Sequence, residues 1–454
     1  MKKYILPLIT LIISIITIIS ILKLNMVPNK YLLIIISVES LLLLIGTILN
    51  INKNKILKVL GIILLIINIL INTILFYYIN NTNNFIKNKF TGDITYTSTF
   101  YVVTDSKNNV NNIEELKEND KIFYYSYSNN IEKAKEILGN YNYESSENII
   151  ETLTNLQEYL LVDSINYNIT DIDKNNYKII YEYNIETIEE RSNYSSDSYN
   201  IYIGGRDFTR SLMDFNMIIT INNKTKKILL TSIPRDYYIY IKEYNQKDSL
   251  EFMGLLGEKT IMNALSDLLD TEINYYGSIY TEGLVEIVDR LGGIEFCSNT
   301  TFTTTHAMVL DTYNDSYGEK LTINKGCQHL NGIETLTVAR ERKNVGSDRQ
   351  RQKNCRQIFE KILEKSLSAT TLTNYSETLD SLSNLYTTNI NEETITNLIK
   401  NLIKNNYTIE EQSLDGTDGY NYIRLGTVKS YVMNPDINTV NNAKIKIKET
   451  LNNK

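Results

Sequence analysis

Apolar and polar positions divide this chain sharply at about residue 80. Before it, Tyr4–Leu22, Tyr31–Leu49 and Ile56–Tyr78 are nearly unbroken apolar runs, each close to the roughly 20 residues a helix needs to cross a bilayer. A cleaved signal peptide accounts for the first run at most. The pattern predicts a three-helix membrane anchor over residues 1–80. Lys2, Lys3, Lys53, Lys55 and Lys58 on one side against Lys23 and Lys30 on the other put the N-terminus inside and everything after Asn80 outside. Glu39 falls within the second run, where a carboxylate is costly. A lipid-facing interface position, protonation, or a contact with another helix would each account for it. Asn80–Lys89 reads as a polar tether.

Beyond the tether, residues 91–190 alternate strand-like and helix-like segments: TYTSTFYVVT, the helix IEELKE, KIFYYSYS, the helix IEKAKEIL, EYLLVDS and YKIIYEYNI. Strands interleaved with helices predict a small α/β lobe. Its order resembles one lobe of a periplasmic solute-binding protein, half a ligand cleft, so a spacer or docking unit is the expectation. The Ser/Asn/Asp-rich stretch Arg191–Asn200 then marks a boundary.

The patterning is strongest in Asn216–Tyr240. Met217–Ile221 and Ile228–Ile233 are apolar strands about a turn at Asn222–Thr225, and Pro234 ends the pairing because it has no amide to give. Arg235 and Asp236 follow at the mouth of this hairpin. Before it come the strand Ile201–Ile203, the turn Gly204–Gly205, Asp207, Arg210 and Asp214. After it come helices over Ile261–Leu269 and Leu284–Leu291, a strand at Ile294–Cys297, and a turn at Asn331–Gly332. Two further helices are expected, Ile333 to about Glu341 and Asp348 to Ser368. On the last, Arg351, Cys355, Ile358 and Ile362 share one face, and its apolar members turn Arg351 toward the core. A buried arginine needs an anion, and Arg235, Arg340, Arg342 and Arg351 together suit phosphate oxygens. The chain's net charge of −7 over 454 residues argues against a nucleic acid held on a basic face.

MDFNMIITINNKTKKILLTSIPRDYYIYI, GCQHLNGIETLTVARER and SDRQRQKN resemble the three signature blocks of the LytR-CpsA-Psr family in order, spacing and content. The likeness runs from about Ser198 to Leu451. These are membrane-anchored, extracytoplasmic bacterial enzymes. The resemblance implies an α/β/α catalytic domain over 198–451, with a central mixed sheet and a deep apolar pocket for a polyprenyl tail. It implies transfer of a polyprenyl-pyrophosphate-linked anionic glycopolymer, such as teichoic acid or capsule, to a peptidoglycan hydroxyl. By motif, Asp207 and Asp214 match carboxylates that hold Mg²⁺ (or Mn²⁺), a hard-oxygen arrangement that suits the metal. Asp214 stands two residues beyond the family spacing, in Arg210-Ser211-Leu212-Met213-Asp214. Arg210, Arg235, Arg340, Arg342 and Arg351 match or adjoin the pyrophosphate-gripping arginines, and Asp348 the acid that opens the last motif. Two departures stand out: Cys355 replaces a usual Gln, and Ser249 and Phe252 replace a Lys-x-x-His pair, with Lys247 two residues earlier.

Charge growing on a departing polyprenyl phosphate would be met by metal and arginine. The incoming hydroxyl needs a proton acceptor, for which Asp236 and Asp348 are the candidates, beside Arg235. Two alternatives remain: a non-catalytic receptor for the same lipid-linked polymer, with the 91–190 lobe as adaptor to synthesis-complex proteins, and a pyrophosphatase acting on the lipid carrier.

There are three cysteines. Outside the cell an oxidised pair persists. Cys297, ending a strand, and Cys327, in the turn before the arginine helix, flank the Thr300–Ile323 excursion and are expected to pair. Cys355, facing inward, is expected to stay a free thiol.

Overall fold

The computed structural model describes residues 2–452, apart from 129, 148, 156–157, 171, 193, 195, 311–317, 367–384 and 427. The last positions expected for the helix ending at Ser368, and the middle of the Thr300–Ile323 excursion, lie outside the described residues. Three N-terminal helices, α1 (Lys2–Leu24), α2 (Asn29–Ile51) and α3 (Lys55–Phe90), are long and apolar enough to cross a membrane. Glu39 is buried between them, where its Oε2 accepts from Ser14 Oγ at 3.1 Å and Asn72 Nδ2 at 2.7 Å. Of the accounts open for this carboxylate, contact with other helices is the one observed.

The expected tether at Asn80–Lys89 is instead the last turns of α3. Phe85, Ile86 and Phe90 give those turns an apolar face, which packs with Leu24 and Met26 against the back of the large sheet. Burial of that face holds the helix together where the sequence looks polar. Arg191, within the expected boundary segment, fastens the junction. Its guanidinium donates to the carbonyls of Gly92 at 3.0 Å, Thr388 at 2.9 Å and Ile390 at 3.1 Å, and to that of Lys89 near the end of α3.

The lobe follows as β1 (Ile94–Asp105), β2 (Lys121–Tyr125), α4 (Ile131–Leu138), β3 (Asn142–Ser146), α5 (Ile149–Thr154), β4 (Tyr159–Asp163), α6 (Ser164–Ile169) and β5 (Tyr177–Glu189). These strands form a sheet in the order β3-β2-β4-β1-β5. The helix expected at IEELKE is only a 3₁₀ turn, Ile113–Glu115, capped by Asn112. None of its residues is buried, so no packing extends it. The lobe leans on the rest of the molecule through Tyr127, whose ring lies 5.9 Å from that of Tyr244, and through the Tyr96 and Tyr276 hydroxyls.

The second α/β unit comprises β6 (Ser198–Arg206), β7 (Met213–Asn222), β8 (Lys227–Ile233), β9 (Tyr238–Ile241), β10 (Gln246–Ser249), α7 (Leu250–Met253), α8 (Glu258–Leu269), β11 (Tyr275–Ile279), α9 (Thr281–Arg290), β12 (Ile294–Ser298), β13 (Phe302–Ala307), β14 (Lys320–Ile323), β15 (Gly326–Leu330), α10 (Gly332–Arg340), α11 (Asp348–Ser366), β16 (Tyr386–Thr388), α12 (Glu392–Lys404), β17 (Thr408–Ser413), β18 (Gly416–Ile423), β19 (Val428–Pro435) and α13 (Ile437–Leu451). Among the described residues its main sheet has the order β16-β11-β6-β7-β8-β17 and is mixed: β11 runs parallel to β6 and β17 to β8, while β6, β7 and β8 are antiparallel.

Helices cover both faces, which is why the strands read as continuous apolar runs. Met217, Ile219, Ile221, Ile228 and Leu230 face α12 and the end of α3, while Tyr202, Ile218, Leu229 and Ile233 face α8 and α13. Gly204 lets β6 approach its neighbours; a Cβ there would stand 2.6 Å from Met213 Sδ and 2.9 Å from Ser278 Oγ. Cys297 and Cys327 are directly opposed on β12 and β15 and joined by a disulfide. Cys327 is therefore in a strand, not in the turn expected for it, because β12 extends the ladder through it. Cys355 is a free thiol.

Candidate active site at the end of the central hairpin

The C-terminal ends of β6 and β8 and the N-terminal end of β7 meet at one edge of the main sheet. Gly205 pairs with Phe215 and Arg206 with Met213, leaving Asp214 as the extra residue of a bulge. A bulge re-aims a side chain without ending the strand. Asp214 reaches Arg235, which Pro234 has released from the ladder.

Arg235 is the hub. Its Nη1 contacts Asp214 Oδ1 and lies 3.0 Å from Glu251 Oε1, and its Nε lies 4.0 Å from Asp236 Oδ1. The Arg235 carbonyl accepts from the Glu251 amide at 2.8 Å, so α7 is tied to the same residue by main chain and side chain. From α11, Arg351 is 4 % exposed; its Nε meets Asp348 Oδ1 at 2.7 Å and its Nη1 donates to the Asp214 carbonyl at 3.0 Å. Arg342 Nε lies 3.4 Å from Asp348 Oδ1, and Gln352 donates to Asp348 Oδ2 at 2.8 Å. The capping box of Asn331 and Glu334 starts α10, which leads to Arg340 and Arg342.

Three buried polar atoms of this cluster make no hydrogen bond: Arg235 Nε, Arg351 Nη2 and Asp236 Oδ2. Buried donors and acceptors are normally satisfied, and each left bare costs about 1–3 kcal/mol. Two bare guanidinium N–H groups buried in one cluster ask for an anion.

The acids divide by environment. Burial works to raise the Asp348 carboxyl, but the Arg351 charge and the hydrogen bonds of Arg351 and Gln352 outweigh it and hold the group below its ordinary range. Burial pushes Asp236 up against the opposing pull of Arg235. It pushes Glu251 up to about 7, with Arg235 opposing and Asp214 and Asp236 adding to the rise. Glu251 was missed in the sequence, where the available signal was a lone acid within the apolar stretch Leu250–Met253. Cys355, where the family motif has Gln, donates to the Ala339 carbonyl at 3.3 Å, and burial pushes its thiol up to about 11.

Arg235, Asp236, Asp214, Asp348, Arg342 and Arg351 are thus brought together; the contacts of Arg210, Arg340 and Asp207 are with other residues. Arg210 pairs with Glu282 at 3.2 Å and lies 4.5 Å from the Tyr280 ring centre, and Arg340 lies 4.4 Å from that of Phe208. Asp207 Oδ1 accepts from the amides of Ser211 at 3.1 Å and Leu212 at 3.0 Å, closing its own loop. Ser249 is buried, and Phe252 carries the Arg424 guanidinium 4.8 Å from its ring centre, so the expected Lys-x-x-His positions present an arginine face instead. As a metal site, the chemistry of the donor set fits Mg²⁺: all the acids offer hard oxygens. With the Glu251 carboxyl raised to about 7, Asp214, Asp236 and Asp348 balance Arg235, Arg342 and Arg351, so an anion arriving here meets no excess of positive charge unless a cation accompanies it.

A family model for the LytR_cpsA_psr family matches residues 161–447. The chain belongs to the LytR-CpsA-Psr family. The match opens inside β4 of the lobe and runs into α13. Over 218 residues the chain is 28% identical to polyisoprenyl-teichoic acid–peptidoglycan teichoic acid transferase TagU of Enterococcus faecalis, covering 47% of this chain and 67% of that protein. Over 185 residues it is 28% identical to biofilm regulatory protein A of Streptococcus mutans, covering 39% of this chain and 44% of that one. The match therefore spans less than half the length of the second relative. The crystal structure of TagV from B. subtilis aligns with 57% of this chain and 99% of its own, at 22% identity and a TM-score of 0.47. In this LytR-CpsA-Psr chain the three apolar helices and the first strands of the lobe precede the match.

Proposed function

We propose that this protein is a glycopolymer–peptidoglycan phosphotransferase. It takes a polyprenyl-pyrophosphate-linked anionic glycopolymer as donor and a peptidoglycan hydroxyl as acceptor. The observation that carries this reading is the pair of buried, unpartnered N–H groups on Arg235 and Arg351, both of whose guanidinium groups also touch Asp214. Two fixed forks converging on one residue suit adjacent phosphates of a pyrophosphate. The transferase name carried by the E. faecalis relative supports the same donor and acceptor.

In this mechanism the acceptor oxygen forms a bond to the sugar-side phosphorus, and the bond from that phosphorus to the bridging oxygen breaks, releasing polyprenyl phosphate. Arg235 and Arg351 hold the charge that grows on the departing group. Asp236, with its unpartnered Oδ2, takes the hydroxyl proton; Asp348 is too firmly held by Arg351, Arg342 and Gln352 to compete. Asp214, with Asp207 on the adjoining loop, would hold Mg²⁺ or Mn²⁺, which when bound supplies further charge neutralisation for the pyrophosphate. The helices α1–α3 anchor the protein in the bacterial cell membrane as a multi-pass protein with the later domains outside, the side given by the lysine bias. The lobe acts as a buttress through Tyr127, and adaptor contacts with synthesis-complex proteins are a matter for co-purification.

The test uses full-length protein in lipid nanodiscs with Mg²⁺, a short lipid-linked oligosaccharide and peptidoglycan fragments. Coupled glycan is the expected product. Free phosphosugar would make the protein a pyrophosphatase, and unchanged but bound donor would make it a receptor.

A further inference from the structure

The ribbon β18–β19 runs from β10, where the Leu425 amide donates to Asp248 Oδ2 at 2.8 Å, to the candidate site. Its inner end is fixed there, where the Met433 amide donates to the Asp236 carbonyl at 2.7 Å. Cross-strand pairing sets Tyr420 opposite Tyr431 and Tyr422 opposite Lys429, so these four side chains and Asp418 share one face. Tyr431 is close enough to Asp236 to feel its charge; its hydroxyl donates to Asp418 Oδ1 at 2.9 Å, and its ring centre lies 6.2 Å from that of Tyr420. Tyr420 is 70% exposed and Tyr422 57%. The Tyr238 hydroxyl donates to the Tyr422 carbonyl at 2.9 Å, joining the ribbon to β9, where Tyr240 is 45% exposed. Among the described residues beyond α3, the exposed tyrosines are these three and Tyr181.

Single exposed aromatics mean little, but Tyr420, Tyr422 and the half-buried Tyr431 on one ribbon face form a surface. Tyrosine rings present flat apolar faces with a polar tip. The C–H faces of sugar rings pack on such surfaces, and sugar hydroxyls find partners in Asp418 and Lys429. On the ribbon face itself Asp418 and Lys429 are the charged residues and are of opposite sign, so that face has no excess positive charge to hold a polyanion. That favours a neutral glycan backbone over the anionic donor polymer.

We propose that the face carrying Tyr420, Tyr422 and Tyr431 binds the acceptor glycan strand and leads its hydroxyl to the site. The proposal rests on the transferase reading above and names its acceptor subsite. It is tested with full-length protein in nanodiscs, comparing wild type with Tyr420→Ala/Tyr422→Ala and Tyr420→Phe/Tyr422→Phe. One readout is binding to peptidoglycan glycan strands stripped of peptides and anionic polymer; the other is transfer kinetics with donor and acceptor varied separately.

The alanine pair should bind the stripped glycan at least about tenfold more weakly and raise the acceptor KM about as much, leaving the donor KM unmoved. The phenylalanine pair, which keeps the ring faces, should behave as wild type. Equal binding by the alanine pair, or a rise in donor KM alone, would overturn the inference. If no protein transfers polymer but only the alanine pair loses glycan binding, the surface stands and the transferase reading falls.

Discussion

Replacing Glu251 with glutamine removes a proton site whose effect on stability follows from the structure. The Glu251 carboxyl is raised from 4.5 to about 7, chiefly by burial, with Arg235 and Arg342 opposing and Asp214 and Asp236 adding to the rise. Between those values the folded protein holds a proton that the unfolded chain has released. The stabilisation is therefore complete below about pH 4.5 and is lost as pH rises through about 7. At 1.36 kcal/mol per pH unit, the span amounts to about 3 kcal/mol. A glutamine side chain has no proton to lose in this range, so this component of the pH dependence should vanish in the variant. In a domain of this size each kcal/mol moves Tm by about 2–4 °C, giving roughly 6–12 °C between the two pH profiles. Thermal unfolding of both proteins, followed by circular dichroism in one detergent from pH 4.5 to 8, measures it. Wild type should lose more stability than Glu251→Gln over that range. Parallel profiles would show that Glu251 is not the buried, Arg235-paired acid described here.

Arg235→Ala should fold, as judged by circular dichroism, yet transfer polymer at least about 10²-fold more slowly, the scale of losing one preorganised charge contact in a transition state; near-normal turnover would remove Arg235 from the site. Asp214→Asn and Asp207→Asn should each raise the Mg²⁺ concentration that gives half-maximal transfer. Wild-type activity that survives exhaustive chelation would end the metal assignment. Cys297→Ser should lower stability by about 3–4 kcal/mol, from opening a loop of 30 residues. Non-reducing peptide mass spectrometry should find Cys297 joined to Cys327 and Cys355 alone open to alkylation.

The elements legible in the sequence are those where a local pattern and the final packing agree. The hairpin of β7 and β8 is bounded by Asn222, whose side chain closes the turn by accepting from the Lys224 and Thr225 amides, and by Pro234. Arg351 shares the buried helical face of Ile358 and is itself buried. Where distant packing decides, the local pattern misleads. Residues 80–90 look polar, yet their few apolar side chains face a sheet built more than a hundred residues later. Asp214 shows no sign of being a bulge, because that depends on its register with Gly205 and Arg206. Glu251 enters the site because its backbone amide is tied to Arg235. The Cys297–Cys327 pair was legible from position alone, though the strand that sets Cys327 opposite Cys297 was not.

The continuous course of α3 bears on how substrate is found. Residues 79–90 rise about 18 Å beyond the expected end of the span, at 1.5 Å per residue. Their far end is bonded to the domain through Arg191 and buried against its sheet. A floppy tether would let the domain sweep a hemisphere and meet a lipid-linked donor at every height and tilt. If α1–α3 anchor it as proposed, the domain on such a stiff post keeps one altitude and one bearing, and the hunt for a lipid-linked donor reduces to sideways diffusion within the sheet of lipid. On the transferase reading proposed above, the length of that post sets the one distance from the membrane at which the donor's pyrophosphate must be offered, so inserting a helical turn after Tyr78 would move the site by about 5.4 Å and rotate its opening, a graded test of reach.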